Sequence, residues 1–261
     1  MTDYEAAILD VDGTIVRGGA LIPGADQGVR ALERAGCDRL LVSNNPTTGT
    51  DHYGDRLEPH GIDVDPTRIL TSATLSASYL ADTHPDETVY LVGSDALESI
   101  LTTAGITVTT DPDEAEVVLG SFDKSFSFGM LWESLQALEN GTPFYGTDPD
   151  VTIPVDGGSM PGSGSILAAM EAVAGREPDA ILGKPSAVAA ETALERLESD
   201  PRRTLVVGDR LDTDIALGNR AGMTTAAVLT GVTDRAAVEE ATGDLTPDHV
   251  LESLGDVGSL L

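Results

Sequence analysis

Ala6-Ala7-Ile8-Leu9-Asp10-Val11-Asp12-Gly13-Thr14 decides the fold. A short apolar run reads as a buried strand. It ends in two aspartates one residue apart, followed by Gly-Thr. Open α/β sheets bind their ligands outside the carboxyl ends of the strands. There Asp10 can offer a carboxylate, and its neighbour's backbone a carbonyl, to one hard cation. Mg2+ suits such a site because it takes few protein oxygens and keeps room for waters and a phosphate. Two carboxylates this close repel each other unless a cation or a shared proton intervenes. The plainer reading is an Asx turn at a strand end, since Asp and Gly both favour turns.

The pattern recurs further along the chain. Thr204-Leu205-Val206-Val207-Gly208-Asp209-Arg210-Leu211-Asp212-Thr213-Asp214 is a second apolar strand ending in carboxylates. Asp209 can reach the cation of Asp10 if the two strands are neighbours. Asp212 and Asp214 can hold metal waters or cap the following helix. Of the two, Asp214 is assigned to steadying Lys184 or the metal waters, and Asp212 to a more exposed place. Arg210 contacts substrate or lies on the surface.

A third strand, Leu40-Leu41-Val42, runs into Ser43-Asn44-Asn45-Pro46-Thr47-Thr48. Hydroxyls, amides and a following helix N-terminus can bind phosphate, and the same residues cap helices. Beside the aspartate motif, phosphate contact is assigned to Ser43 and Asn44, and capping to Thr47 or Thr48. A fourth stretch, Ile181-Leu182-Gly183-Lys184-Pro185-Ser186, puts a lysine directly after an apolar run. Only Lys124 and Lys184 are lysines among 15 basic residues, so a lysine here carries information. A compact ammonium on a flexible stem suits a phosphate oxygen and a carboxylate together. Ser186 is placed to cap the next helix.

Composition narrows the class. The 261 residues suffice for one large domain or two modest ones. With aromatics at 4%, the core must be aliphatic. A formal charge of -29, from 44 acidic and 15 basic side chains, excludes a non-specific nucleic-acid or anionic-membrane binder. The charge is dispersed among regular apolar segments, as on the solvated surface of a protein working in high salt, where screening suppresses self-repulsion. Cys37 is the single cysteine, so no intramolecular disulfide forms; it reads as a small core residue. The N-terminus Met1-Thr2-Asp3-Tyr4-Glu5 lacks a basic leader, and no apolar run reaches membrane-spanning length. A cytoplasmic protein without membrane partners is expected.

Helix-like runs closed by Ala35-Gly36, Ala104-Gly105, Ala174-Gly175 and Ala221-Gly222 alternate with apolar strands. This is an α/β chain with parallel sheets and helices on both faces. Ile15 to Ile22 forms a Gly-bearing connector, a small flap. Pro23 starts a helix to about Ala35. A polar break at His84-Pro85-Asp86-Glu87 opens a new βα series, so residues 85–178 are expected to form an inserted domain, with 1–84 and 179–261 as the core. Gly157 to Ser165 reads as a hinge-like loop returning to the core; it lacks the Gly-Lys-Ser/Thr of a nucleotide loop. The tail from Asp234 to Leu261 carries helix, turn and helix signals. His52, His60, His84 and His249 show no ligand spacing.

In order, DVDGT at 10–14, SNN at 43–45, GKPS at 183–186 and GDRLDTD at 208–214 resemble the haloacid dehalogenase (HAD) superfamily. The insert resembles subclass IIA, the NagD and p-nitrophenyl phosphatase-like group. The likeness implies a Rossmann-like doubly wound parallel-sheet core with an inserted α/β cap domain. It implies a phosphomonoesterase acting on a small phosphorylated metabolite: a sugar phosphate, a nucleoside monophosphate, phosphoglycolate, glycerol phosphate or p-nitrophenyl phosphate. Asp10 is then the nucleophile that becomes an aspartyl-phosphate, and Asp12 the acid and later the base. Mg2+ is bound by Asp10, the Asp12 carbonyl and Asp209. Ser43, Asn44 and Lys184 offset charge on the phosphate. Thr14 also fits a phosphatase. Cap-mediated homo-oligomers are implied in the same way. The cap stretch Gly146-Thr147-Asp148-Pro149-Asp150 has Asp148 where the group often has Asn, which leaves the roles of Thr147 and Asp148 open and disfavours an anionic leaving group. Asp12 argues against a dehalogenase, and the lack of spans against a transport ATPase. A phosphomutase and a phospho-accepting regulator or ligand-binding protein are the remaining alternatives. A nicotinamide enzyme lacks its glycine fingerprint after the first strand.

Overall fold

Uninterrupted aliphatic runs become parallel strands because helices cover both of their faces. A computed structural model of the chain describes residues 4–155 and 157–261; the leader reading at Met1–Asp3 lies outside them. In chain order the first elements are β1 (Ala6–Leu9), β2 (Val16–Arg17), β3 (Ala20–Leu21), α1 (Ala25–Arg34), β4 (Asp38–Ser43), α2 (Thr50–Leu57), β5 (Ile69–Thr71) and α3 (Ser72–Thr83). There follow β6 (Thr88–Val92), α4 (Asp95–Thr103), β7 (Thr107–Thr109), β8 (Val117–Gly120), α5 (Phe128–Ala137), β9 (Phe144–Gly146), β10 (Thr152–Val155), β11 (Gly158–Pro161) and α6 (Ser163–Ala174). The last are β12 (Ala180–Ile181), α7 (Ala187–Leu197), β13 (Thr204–Gly208), α8 (Ala216–Ala221), β14 (Thr224–Val228), α9 (Arg235–Glu240) and β15 (His249–Leu251).

Packing groups these elements into two units. The first holds the chain up to Ser43, Thr50–Leu70 and Lys184–Leu261; the second holds Asn44–Gly49 and Thr71–Gly183. The second is therefore wider than the 85–178 insert read from the sequence, because α3 and β12 pack with it. β12 pairs in parallel with β9, which the break at His84-Pro85 could not reveal.

The first unit is built on a six-stranded sheet of order β15-β14-β13-β1-β4-β5. β1 lies between β4 and β13, and Leu9 pairs with Leu41 on one side and Val207 on the other. The chain runs outward from β1 in both directions, so the carboxyl ends of β1, β4 and β13 form a topological switch point, the place where such sheets bind ligands. The core is aliphatic as composition required: Leu9, Val11, Leu41, Leu205 and Val207 are buried together with Tyr53 and Leu57. Cys37 is among them, its thiol donating to the Tyr4 carbonyl at 3.1 Å. The connector after β1 is a two-residue ladder, β2 with β3.

Two expectations are corrected. The tail contains a strand, β15, between its helical segments; three residues are too few to show a period. Gly157 to Ser165 is no linker. Gly158–Pro161 pairs antiparallel with Thr152–Val155, with Gly157 at a positive φ of 87°. Gly162 and Gly164 are there for close approach: a Cβ on either would lie 2.3 Å from the carbonyl oxygen of Asp150 or Pro149 respectively. The second unit adds a five-stranded parallel sheet, β12-β9-β8-β6-β7, covered by α5 and α6 through Leu138, Ile166, Leu167 and Met170. Among the described residues no helix is long and apolar enough to cross a membrane.

α1 docks on the C-terminal 3-10 segment Leu254–Ser259 through Gly28, where a Cβ would sit 2.2 Å from the Leu254 carbonyl oxygen. Gly28→Ala is expected to lower stability by about 1–3 kcal/mol through overpacking. Gly54→Ala on α2, where a Cβ meets open space, is expected to raise it by about 0.5–1 kcal/mol. Urea melts of the two variants check the contrast, and a shared direction of change would refute it.

Candidate active site

Lysine with its ammonium out of water needs a partner for each donor. Lys184, which enters from the stretch before α7, is 2% exposed. Its Nζ donates to Asp10 Oδ1 at 2.8 Å, Asp214 Oδ1 at 2.6 Å and the Val42 carbonyl at 2.8 Å. It thereby ties the residue after β1, the end of strand β4 and the segment after β13 into one cluster. Thr14 Oγ1 donates to the other oxygen of Asp10 at 3.3 Å.

Asp209, at the end of β13, is 2% exposed. Its Oδ2 accepts the Val232 amide at 2.6 Å, and its carbonyl accepts the Thr233 amide at 3.0 Å. Glycines make room for it. A Cβ on Gly13 would lie 2.4 Å from Asp209 Oδ2, and one on Gly231 1.7 Å from it. Gly13 also has φ 97°, a conformation in which other residues are strained. Thr230 fastens this loop to the first motif by donating to the Gly13 carbonyl at 2.6 Å.

Leu211–Ile215 forms a single π-turn before α8, a wound segment often found at functional sites. It turns Asp214 back toward the strand: Oδ2 accepts the Arg210 amide at 3.1 Å, and a Cβ on Gly208 would collide with its carboxylate at 2.3 Å. Arg210 lies beside this cluster, and its charge favours the ionised form of Asp209. Its guanidinium forks onto exposed Asp212 at 3.2 and 3.0 Å.

Among the described residues, Asp10, Asp209 and Asp214 each offer a carboxylate oxygen within 4.8 Å of the others. Three carboxylates against the one ammonium of Lys184 leave two negative charges in excess. Burial first, then Asp214 and Asp209, push the Asp10 carboxyl well up, while Lys184 pulls it down. Burial and Asp214 push Asp209 up to about 6. Burial disfavours the Lys184 ammonium, yet Asp10 and Asp214 outweigh it and hold its pKa above the ordinary value. A hard, all-oxygen set short of two positive charges fits a divalent cation such as Mg2+.

The remaining predicted residues have the following contacts. Ser43 ends β4, and its hydroxyl shares a 2.7 Å hydrogen bond with Tyr53 of α2. Asn44 follows in the chain, and its carbonyl accepts the Ser72 hydroxyl at 2.9 Å. The Thr47 amide and hydroxyl both donate to Asn45 Oδ1. Ser186 caps α7 by accepting the Ala189 amide. The Asp12 side chain is 49% exposed and pairs with Arg56 of α2 at 2.7 Å. Sequence reasoning missed Tyr53, Arg56, Thr230 and Gly231. A Thr-Gly turn after an apolar strand was the available signal for the last two; nothing marked the helix residues.

In the second unit, Asp148 is buried. Its Oδ2 accepts the hydroxyls of Ser163 at 2.6 Å and Thr147 at 3.0 Å, and its Oδ1 the Asp150 amide at 3.2 Å. Burial, then Asp150, push it up to about 7 against those hydrogen bonds.

Strand-end carboxylates, a buried lysine and a switch-point sheet define a HAD-type hydrolase, and the comparisons agree. The haloacid dehalogenase-like hydrolase profile matches residues 7–107, and a HAD-hydrolase-like profile matches residues 181–257. The chain belongs to this family, in the NagD and p-nitrophenyl phosphatase group of subclass IIA. It is similar to p-nitrophenyl phosphatase from Archaeoglobus fulgidus, with a TM-score of 0.93 and 34% identity over 99% of this chain and 100% of that one. NagD from E. coli K-12 aligns with a TM-score of 0.87 and 28% identity over 98% of each chain. Dihydroxyacetone phosphatase of Corynebacterium glutamicum (strain R) is 34% identical over 257 residues, 98% of this chain and 92% of the relative.

For Asp148 the folded state keeps a proton that the unfolded chain releases above its ordinary pKa of 3.8. A raised folded-state pKa means that stability falls as pH climbs from 3.8 toward about 7 and then levels. Asp148→Asn removes that titration and can keep the pattern, its amide oxygen facing Asp150 N and its nitrogen facing the hydroxyls. The variant is expected to gain about 1–3 kcal/mol on wild type between pH 5 and pH 8. Thermal melts at the two pH values check this; a difference that does not change with pH would refute it.

Proposed function

We propose that the chain is a Mg2+-dependent phosphatase that hydrolyses a small phosphorylated metabolite through an aspartyl-phosphate on Asp10. The observation that carries this is the Lys184 ammonium seated between Asp10, just past β1, and Asp214, in the turn after the neighbouring β13. Relatives named dihydroxyacetone phosphatase and acid sugar phosphatase support a sugar or triose phosphate within that class.

Both oxygens of Asp10 have a fixed neighbour, Lys184 on one side and Thr14 on the other. Its carboxylate is therefore held in one orientation before the substrate arrives, which lowers the entropic cost of in-line attack. The Asp10 oxygen–phosphorus bond forms as the ester bond breaks, and Asp12 gives its proton to the leaving alcohol. Asp12 then takes a proton from water as the water oxygen attacks phosphorus, which frees Asp10 and releases phosphate. Ser43 and Asn44 donate hydrogen bonds to the phosphoryl oxygens, and Lys184 brings positive charge beside them. Asp10, the Asp12 carbonyl and Asp209 would hold Mg2+, with Asp214 fixing Lys184; the ion supplies charge neutralisation of the phosphoryl group. The formal net charge of -29 supports a setting rich in salt, where screening suppresses self-repulsion.

Hydrolysis of p-nitrophenyl phosphate with Mg2+ in concentrated KCl is expected. Asp10→Asn should lower kcat by at least about a thousandfold, and EDTA should stop turnover until Mg2+ is restored. Turnover that survives either treatment contradicts the mechanism. The melting temperature is expected to rise as KCl is added and acidic self-repulsion is screened; a flat or falling trend would remove the high-salt reading.

A further inference from the structure

Asp12 stands apart from the other carboxylates of the site. Asp10, Asp209 and Asp214 converge in the interior, whereas half of the Asp12 side chain is in solvent. It pairs with Arg56, one turn beyond Tyr53 on α2. The Arg56 Nη2 donates to Asp12 Oδ1 at 2.7 Å, while Nε at 3.2 Å and Nη2 again both donate to the Gly18 carbonyl. Gly18, at φ 58°, is the turn between β2 and β3. One guanidinium thus holds the Asp12 carboxylate and the connector that follows it.

An aspartate two residues from Asp10 is drawn toward Lys184 and toward any cation among the buried carboxylates. Drawn inward, it would spend its oxygens on those charges and lose reach of a leaving group. Arg56 supplies a competing positive charge on the outer side. A planar guanidinium presents its donors in one plane from several nitrogens, so it spans the Asp12 carboxylate and the Gly18 carbonyl together. We propose that Arg56 is the positioning residue for Asp12, keeping its carboxylate clear of the cluster so that it meets the leaving-group oxygen. The proposal rests on the phosphatase reading and adds to it a residue outside the four motifs.

Leaving groups separate this role from a structural one. An alkoxide needs a proton as it departs, while p-nitrophenolate leaves without one, so a misplaced acid is felt on the first ester only. Wild type, Arg56→Gln and Arg56→Lys are compared by kcat/KM on glycerol phosphate and on p-nitrophenyl phosphate. Arg56→Gln is expected to lose about 10–100-fold on glycerol phosphate and at most about threefold on the nitrophenyl ester. Arg56→Lys should recover part of the loss, and in an Asp12→Asn background Arg56→Gln should add nothing. Equal losses on both esters, or none on either, would overturn the role of Arg56 while leaving the phosphatase reading intact. A wild-type protein that turns over neither ester overturns both. Should Arg56→Gln not fold, Arg56→Lys is read by the same ratio.

Discussion

A buried ammonium with three acceptors, Asp10, Asp214 and the Val42 carbonyl, is the contact on which the rest depends. Desolvating Lys184 and three carboxylates is costly, and mutual attraction offsets that only when the partners are held at hydrogen-bond distance. Much of the surrounding structure meets that demand. Gly208 leaves room for Asp214, the π-turn aims it, and Gly13 and Gly231 leave room for Asp209. None of these glycines serves flexibility; each marks a place where a side chain would occupy space that a carboxylate needs.

The sheet order delivers the partners. β1 sits between β4 and β13 with Leu9 in register with Leu41 and Val207, so residues just past those positions share one end of the sheet. Residues 10, 43 and 209 are far apart along the chain and become neighbours because each ends an adjacent parallel strand. The helix α2 then reaches this end from the side, Tyr53 touching Ser43 and Arg56 touching Asp12. Its contribution is orientation: two polar side chains of the site would otherwise choose among rotamers.

What could be read from the sequence was what repeats. Apolar strands ending in Asp, a Ser-Asn-Asn, and an out-of-place lysine each state their chemistry locally, and a parallel sheet covered on both faces follows from alternating strands and helices. Pairings that depend on distant packing were not readable. β15 is too short to show a period, β12 joins a sheet whose other strands lie upstream, and Gly158–Pro161 looks like a flexible tract until its partner strand is seen. Arg210 was open between substrate contact and the surface, and a motif could not say which rotamer it takes; its guanidinium pairs with Asp212, two residues on.

Lysine at position 184 has a geometric reason. The chain otherwise uses arginine almost throughout, and its other lysine, Lys124, is exposed. Three acceptors at 2.6 to 2.8 Å converge on one nitrogen, which matches the three donors of an ammonium spread about a single atom. A guanidinium spreads five donors in one plane over three nitrogens and several ångströms. Placed here it would drive Asp10 and Asp214 apart, and those two must lie close for the carboxylate group to form. At Arg56 the guanidinium spans two acceptors from two elements, Nη2 donating to Asp12 and to the Gly18 carbonyl and Nε to that carbonyl as well. The same end of the sheet therefore uses both cations, each where the arrangement of oxygens selects it.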